Sequence, residues 1–418
     1  MYERFLYPTK PPLFYSVSFF NAILLYRYSE LFNNSDCFCI FVSKYNEIRY
    51  MNPMDTLFAV CNLAGKNING WEVISQLPEP DRSKGETGGN FSICYIVQKD
   101  GIECFMKVLD YRNCMTRTLN PSETRLSVIE RATREFKYEM ALSEHCNRHN
   151  VKNIITYVDG GECELKEFSF PTVTYIVYEK ADCNIRKILD FSAKLVFAEK
   201  LKTLSFKIKS LHDIALGVKQ LHKIEVSHQD LKPSNILSIG NNSKLGDLGR
   251  SLCLSPEVDC PYSLNRFNGD WTYAPPEAFF YYRLSEDKER LYQMDNYMIG
   301  SLIVFYISGI SFNTLLNGHL SGGIRSLASS GIGFDGARAY LLNAYYQALV
   351  DFEKSIPLQD LKEGLVKMVE YLCHPEPEKR GHPKNVLATN RTPNYDLERT
   401  IAELDLFQRK AELSLYKK

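Results

Sequence analysis

The sequence predicts an α+β chain with two lobes, a small antiparallel sheet followed by a larger helical body. Three observations carry this reading. Between Trp71 and Leu109, runs rich in β-branched and aromatic residues alternate with Gly, Pro and Asp, the pattern of a meander. From Leu204 to His222 the apolar residues Ile208, Leu211, Ile214, Ala215, Val218 and Leu221 recur at threes and fours, the spacing of an amphipathic helix. From there to about Ala388, helix-forming runs dominate apart from a few loops.

Residues 1–60 are dense in aromatics, among them Tyr2, Phe5, Tyr7, Phe14 and Tyr15, and carry no catalytic pattern. They read as an N-terminal extension whose role the sequence does not disclose. Within it, Leu13–Leu25 is interrupted by Ser16, Ser18 and Asn21 and falls short of the about 20 apolar residues a bilayer span needs. No small-residue cleavage site follows it; Tyr26-Arg27-Tyr28 comes next, so a helix or strand packed on the main domain is expected rather than a signal peptide. Met51 and Met54 stand just before recognisable order begins and offer alternative starts, between which the sequence does not choose.

Strands are expected at Trp71–Leu77, Phe91–Val97 and Ile102–Leu109, the last two joined by the hairpin-turn dipeptide Asp100-Gly101. A helix is expected over Glu123–Cys146 and a short apolar strand over Tyr175–Tyr178. The lobes are placed at 61–182 and 183–390, with a helical tail over 391–418. The segment Ser311–Pro357, with Gly318, Gly322, Gly323, Gly331, Gly333 and Gly336, follows no standard pattern and reads as an insert in the larger lobe.

Composition narrows the functional classes. Lys+Arg and Asp+Glu both number 50 and hydrophobic residues make up 44%, which argues against disorder, a nucleic-acid partner and a membrane-surface charge patch. The 12 cysteines are scattered and lack the spacing of a zinc knuckle or a disulfide scaffold, so reduced thiols in a cytoplasmic protein are expected. Cys37 and Cys39 have no second pair beside them, and no metal is assigned to them. Oligomeric state is not readable.

The strongest chemical signal is His228-Gln229-Asp230-Leu231-Lys232-Pro233-Ser234-Asn235, directly after the amphipathic helix. Seventeen residues beyond Asp230 comes Asp247, in Gly246-Asp247-Leu248-Gly249, and further on Asp270-Trp271-Thr272-Tyr273-Ala274-Pro275-Pro276-Glu277. Upstream stands Phe105-Met106-Lys107-Val108-Leu109, followed by the helix with Glu135 and Glu139 on one face. Together these resemble the protein kinase superfamily, of serine/threonine type, and bacterial kinase-like proteins within it, over about residues 68–390.

The resemblance implies the two-lobed kinase fold, ATP and Mg2+ as cofactors and a protein substrate. It makes Asp230 the base, Lys232 the residue near the γ-phosphate, and Asn235 and Asp247 the magnesium ligands. It makes Lys107 the lysine that grips the α- and β-phosphates, with Glu139 preferred over Glu135 as its partner because the distance from Glu139 to Asn153-Ile154-Ile155 fits the family better. It puts Gly85, Gly88 and Gly89 in the phosphate loop, where glycine lets backbone amides approach phosphate oxygens, and Glu179 to Ala181 in the hinge that meets adenine. Arg380 is expected to pair with Glu277, and Asp295 to hold the catalytic loop from below.

Four positions depart from the family pattern: Gln229, Leu248, Ser92 and Phe105. Leu248 can fill an apolar slot between the lobes. Phe105 shares a strand face with Lys107 and is expected to crowd the adenine. Gln229 stands where regulated kinases carry arginine, so activity is expected not to require phosphorylation of the segment before Glu277, with Asp270 taking a bond from Lys232 instead. The runner-up reading is a pseudokinase scaffold with weak or no catalysis. A small-molecule kinase of the aminoglycoside type fits less well, because Glu277 and Arg380 have no counterpart there.

Overall fold

Strands β1 (Asn67–Ile68), β2 (Trp71–Gln76), β3 (Ser92–Lys99), β4 (Ile102–Leu109), β5 (Tyr157–Glu164) and β6 (Thr172–Glu179) form the first lobe of the computed structural model. They make one sheet in the order β1-β2-β3-β4-β6-β5, with every neighbouring pair antiparallel. The structure describes residues 54–78, 91–193, 197–386 and 393–416. The expected apolar segment Leu13–Leu25, the Cys37/Cys39 pair and the phosphate-loop glycines Gly85, Gly88 and Gly89 lie outside these residues.

The β3–β4 hairpin turns at Asp100 and Gly101 with φ of 51° and 78°, the left-handed pair that a two-residue hairpin loop demands. Period-two alternation then buries Ile93, Tyr95 and Val97 from β3 together with Cys104, Met106 and Val108 from β4. Phe105 and Lys107 fall on the opposite face, paired across the sheet with Ile96 and Cys94. The same core takes in Phe58, Ala59, Val60 and Leu63, and Phe58 stacks on Phe170 with ring centroids 4.3 Å apart. The small lobe therefore draws on residues N-terminal to 61, and the extension ends before Phe58.

Helix α1 (Tyr111–Thr116) leads into α2 (Arg125–Arg148). Thr124 and Ser127 cap the start of α2 reciprocally, satisfying donors that the first turn leaves without partners. Its buried stripe, Val128, Ala132, Phe136, Glu139, Leu142, Ser143 and Cys146, repeats at threes and fours and carries Glu139 toward the sheet.

The larger lobe contains α3 (Ile185–Ala193), α4 (Phe197–Lys223), α5 (Asp287–Ser308), α6 (Phe312–Gly318), α7 (Gly323–Ser329), α8 (Gly333–Ser355), α9 (Gln359–Leu372) and α10 (Glu398–Tyr416). Every residue of α5 from Arg290 to Tyr306 is buried, so this helix is the axis of the lobe. No single described helix is long and apolar enough to cross a membrane. The glycine-rich segment expected as an insert is helical: Gly322, Gly323, Gly331 and Gly333 have φ of 72°, 75°, 82° and 67° and make the bends between α6, α7 and α8 that a Cβ would resist. Leu404, Phe407 and Ala411 of α10 are buried, and Ser205 Oγ on α4 meets Glu412 Oε1 at 3.1 Å, so the C-terminal helix docks on α4. Short strands β7 (Cys183–Asn184), β8 (Val226–Ser227), β9 (Ile236–Ile239), β10 (Asn242–Leu245) and β11 (Leu252–Cys253) frame the segment 228–235.

Candidate active site

The loop His228–Asn235 leaves β8 and enters β9, and Asp295 of α5 holds its start from below. The fully buried Asp295 carboxylate accepts from the main-chain N–H of His228 at 3.0 Å and of Gln229 at 2.9 Å, and from Ser227 Oγ at 2.9 Å. His222 Nε2 lies 2.9 Å from the same group. A buried carboxylate with this many donors fixes the backbone it binds. Gln229 itself has φ of 63°, a cost sustained only where the surroundings over-determine it.

Asp230 comes next and is 1% exposed. One carboxylate oxygen accepts from the Asp270 N–H at 2.8 Å. The other takes Asn235 Nδ2 at 3.0 Å and the Lys232 ammonium at 3.0 Å. Gly269 makes the Asp270 contact possible: a side chain there would strike the Gln229 carbonyl, so only glycine lets the two strands of backbone approach. Behind this segment, Glu277 and Arg380 are both buried and pair bidentately at 2.8 and 2.9 Å. Arg380 also donates to the carbonyls of Gln293 and His374, so no charge is left unmatched.

Facing them, Lys107 Nζ on β4 lies 2.8 and 2.7 Å from the two oxygens of Glu139 and 3.3 Å from Asp247 Oδ1. Burial pulls the Lys107 ammonium down, but Asp247 and Glu139 outweigh it and hold it well above the ordinary lysine range. Lys107 in turn holds the Asp247 carboxyl below its usual range, with Lys232 and His228 adding to the effect. Burial pushes the Glu139 carboxyl up against the pull of Lys107. Asp247 stands in the left-handed region with φ of 56°, and its side chain is 41% exposed, so its carboxylate is open to solvent. Leu248, 2% exposed, packs in the hydrophobic core shared by the two lobes.

The structure therefore brings Asp230, Lys232 and Asn235 together in one group and Lys107, Glu139 and Asp247 in a second. Glu135, four residues before Glu139, makes no recorded contact with Lys107. The Glu179 side chain turns away from the cleft mouth, accepting from Thr156 N at 2.7 Å and Lys244 Nζ at 2.5 Å; only its backbone, with that of Ala181, is placed along the connection between lobes. The glycines Gly85, Gly88 and Gly89 lie outside the described residues. Sequence reasoning missed Tyr178, whose hydroxyl reaches Glu139 Oε1 at 3.1 Å and Ser143 Oγ at 3.1 Å. The one available signal was a tyrosine ending an otherwise apolar strand, since a buried hydroxyl needs a partner. The oxygen donors Asp247 and Asn235, with the lysine pair beside them, suit a magnesium-bound polyphosphate.

Asp230 and Lys232 line a cleft of about 990 Å³ together with Trp271, Thr272, Asn317 and Arg325. The model of the protein kinase domain matches residues 116–390. Over 124 residues, 29% of this chain, the sequence is 32% identical to the sensor for unfolded proteins in the ER ire1 of Schizosaccharomyces pombe, covering 10% of that protein. It is 30% identical, also over 124 residues, to the sporulation-specific mitogen-activated protein kinase SMK1 of Saccharomyces cerevisiae, covering 28% of it. The matched region is thus a minor part of either relative.

Proposed function

Because the chain belongs to the protein kinase domain family, with 116–390 matching its model, we propose that it transfers the γ-phosphoryl group of ATP to a serine or threonine hydroxyl of another protein. The observation that carries the reading is the placement of Asp230: a buried carboxylate, oriented from three sides by Asp270 N–H, Asn235 and Lys232, on the wall of an open cleft. A carboxylate so oriented accepts the hydroxyl proton as the oxygen attacks.

Around that step each residue has a task. Lys107, kept charged and aimed by Glu139, holds the α- and β-phosphates. Lys232, 3.0 Å from Asp230, neutralises charge that gathers on the transferred group. Asp247 and Asn235 would hold Mg2+, which when bound offsets the charge of the phosphates. The backbone from Glu179 to Ala181 meets adenine. The partner is a protein, encountered in the cytoplasm.

The test is Mg2+-dependent transfer of label from γ-phosphate-labelled ATP to protein, followed by identification of the cellular proteins phosphorylated by the parent chain but not by Asp230→Asn. Transfer by the parent and its loss in the variant are expected. Equal labelling by both, or no ATP turnover by the parent, would overturn the proposal and leave a pseudokinase scaffold.

A further inference from the structure

His145 and His149 lie four apart at the C-terminal end of α2, on one face of the helix. The His145 side chain is 2% exposed and its Nδ1 lies 3.3 Å from Glu257 Oε2, yet neither ring nitrogen makes a hydrogen bond. A buried polar ring left this way is rare in a folded protein and calls for a missing ligand. Burial, and then the neighbouring His149, hold His145 below the ordinary histidine range. His149 Nδ1 sits 3.0 Å from the His145 carbonyl; donating there leaves the free lone pair on Nε2, the orientation usual in metal-bound histidines. One ligand atom from each of His145, His149 and Glu257 lies within 4.8 Å of the others.

The geometry points to a transition-metal site at His145, His149 and Glu257, of the zinc class, with a fourth position open to water. Two imidazoles and one carboxylate suit Zn2+ or Co2+, whereas Mg2+ and Ca2+ need six or more oxygens. Arg148 Nη1 stands 4.0 Å from Glu257 Oε2 and competes for that carboxylate; its side chain is 56% exposed and can turn to solvent when the ion enters. The site has a mechanical consequence. Helix α2 carries Glu139, and Glu257 belongs to the segment between Asp247 and Glu277, so an ion here fastens that segment to the helix that positions Lys107.

The experiment uses the full chain, stripped with a chelator and titrated with Co2+ in excess Mg2+, with hydrogen exchange over residues 252–262 followed on adding Zn2+. A single Co2+ with a tetrahedral visible spectrum and slower exchange of 252–262 with Zn2+ are expected. His149→Ala and Glu257→Gln, both at accessible positions, each weaken Co2+ binding by about tenfold or more; Asp247→Asn leaves it unchanged. The proposal is overturned by no binding in the parent, by unchanged binding in the two variants, by loss in Asp247→Asn, by a thiolate charge-transfer band that survives the variants, or by exchange that ignores Zn2+. None of these readouts depends on phosphoryl transfer.

Discussion

Asp230 and Lys107 stand at the centres of the two groups that make up the site and are held by different means. The floor, around Asp230, is buried and built from hydrogen bonds to backbone: Asp295 grips two main-chain amides, Arg380 three acceptors, and Asp270 N–H the Asp230 carboxylate itself. The roof, around Lys107, is a triangle of side-chain charges with one corner, Asp247, open to solvent. The floor resists change in position. The roof depends on α2 staying against the sheet, with Tyr178 as its brace. Such a contrast suits a fixed base and an adjustable nucleotide grip, and each prediction below presses on one side of it.

The largest effect is expected where both groups meet the chemistry. Asp230→Asn and Asp247→Asn are each expected to lower kcat by about 10²- to 10⁴-fold, with thermal unfolding unchanged, because a neutral isostere keeps the packing. A variant that loses activity and stability together would show that the floor serves the fold before it serves catalysis.

Next is the floor's buried ion pair. Arg380→Met leaves Glu277 charged and unmatched in the core, at a cost of about 3–5 kcal/mol, read by denaturant unfolding. Tyr178→Phe in the roof deletes one bond to a charged group and is expected to cost about 1–2 kcal/mol, so similar losses from the two variants would erase the contrast drawn here.

The floor also sets a response to acid. Burial, followed by the Arg380 charge, lowers His374 from the ordinary range to about 4, and its neutral Nδ1 accepts from the Glu376 N–H at 3.1 Å. Between pH 6.5 and about 4 the unfolded chain takes up a proton that the folded chain refuses, so stability falls as pH falls through that window. The size is about 1–2 kcal/mol after allowance for partial exposure. His374→Asn should flatten the stability profile there; a profile as steep as the parent's would assign the acid response to other groups, His145 among them.

Phe105 tests the roof's adjustability. It shares the face of β4 with Lys107 and packs against the core shared by the two lobes, and it is expected to hold adenine off its usual depth. Phe105→Ala should tighten nucleotide binding severalfold by calorimetry; unchanged or weaker binding would make the phenyl ring part of the interlobe packing alone.

Much of this was legible because it is contiguous. The loop from His228 to Asn235, the Asp247 turn and the Glu277 segment each keep their residues within a few positions, so their resemblance to the protein kinase motifs shows in contiguous sequence. Helix periodicity placed Glu135 and Glu139 on one face, and the family spacing from Glu139 to Asn153-Ile154-Ile155 made Glu139 the expected partner of Lys107. What stayed hidden depends on long-range placement. Phe58 to Val60 look like any aromatic-rich run until they meet Phe170 and the sheet. The segment 311–357 followed no standard pattern and read as an insert, because glycine at positive φ ends helices as readily as it loosens loops. Tyr178 gave only the weak sign of a tyrosine ending an apolar strand and His145 gave none, because a hydroxyl or an imidazole acquires its meaning from what is buried beside it.

The smallest effect is expected from the segment between Asp247 and Glu277, whose order does not need phosphate. Gln229 is fully buried, and its Nε2 donates to Ser227 Oγ at 2.7 Å. It points into the floor and offers no cation to a modified residue. The segment is instead fastened by neutral or pre-existing contacts. Asp270 N–H reaches Asp230 at 2.8 Å, Tyr262 donates to the Gly249 carbonyl, and Arg250 donates to Asn268 O at 2.8 Å. The expected bond from Lys232 to Asp270 is the weaker part of this arrangement, since Lys232 is 3.9 Å from Asp270 but 3.0 Å from Asp230. Ser251 is buried and directs its hydroxyl to the His228 carbonyl at 3.2 Å, which removes it from reach of a modifying enzyme. Ser255 and Ser263 remain accessible, and replacing both with Ala is expected to change kcat/KM by no more than about twofold, the scale of ordinary surface substitutions. If that double variant is inactive and a carboxylate at either position restores it, the segment is switched by charge, and the floor of the cleft is as adjustable as its roof.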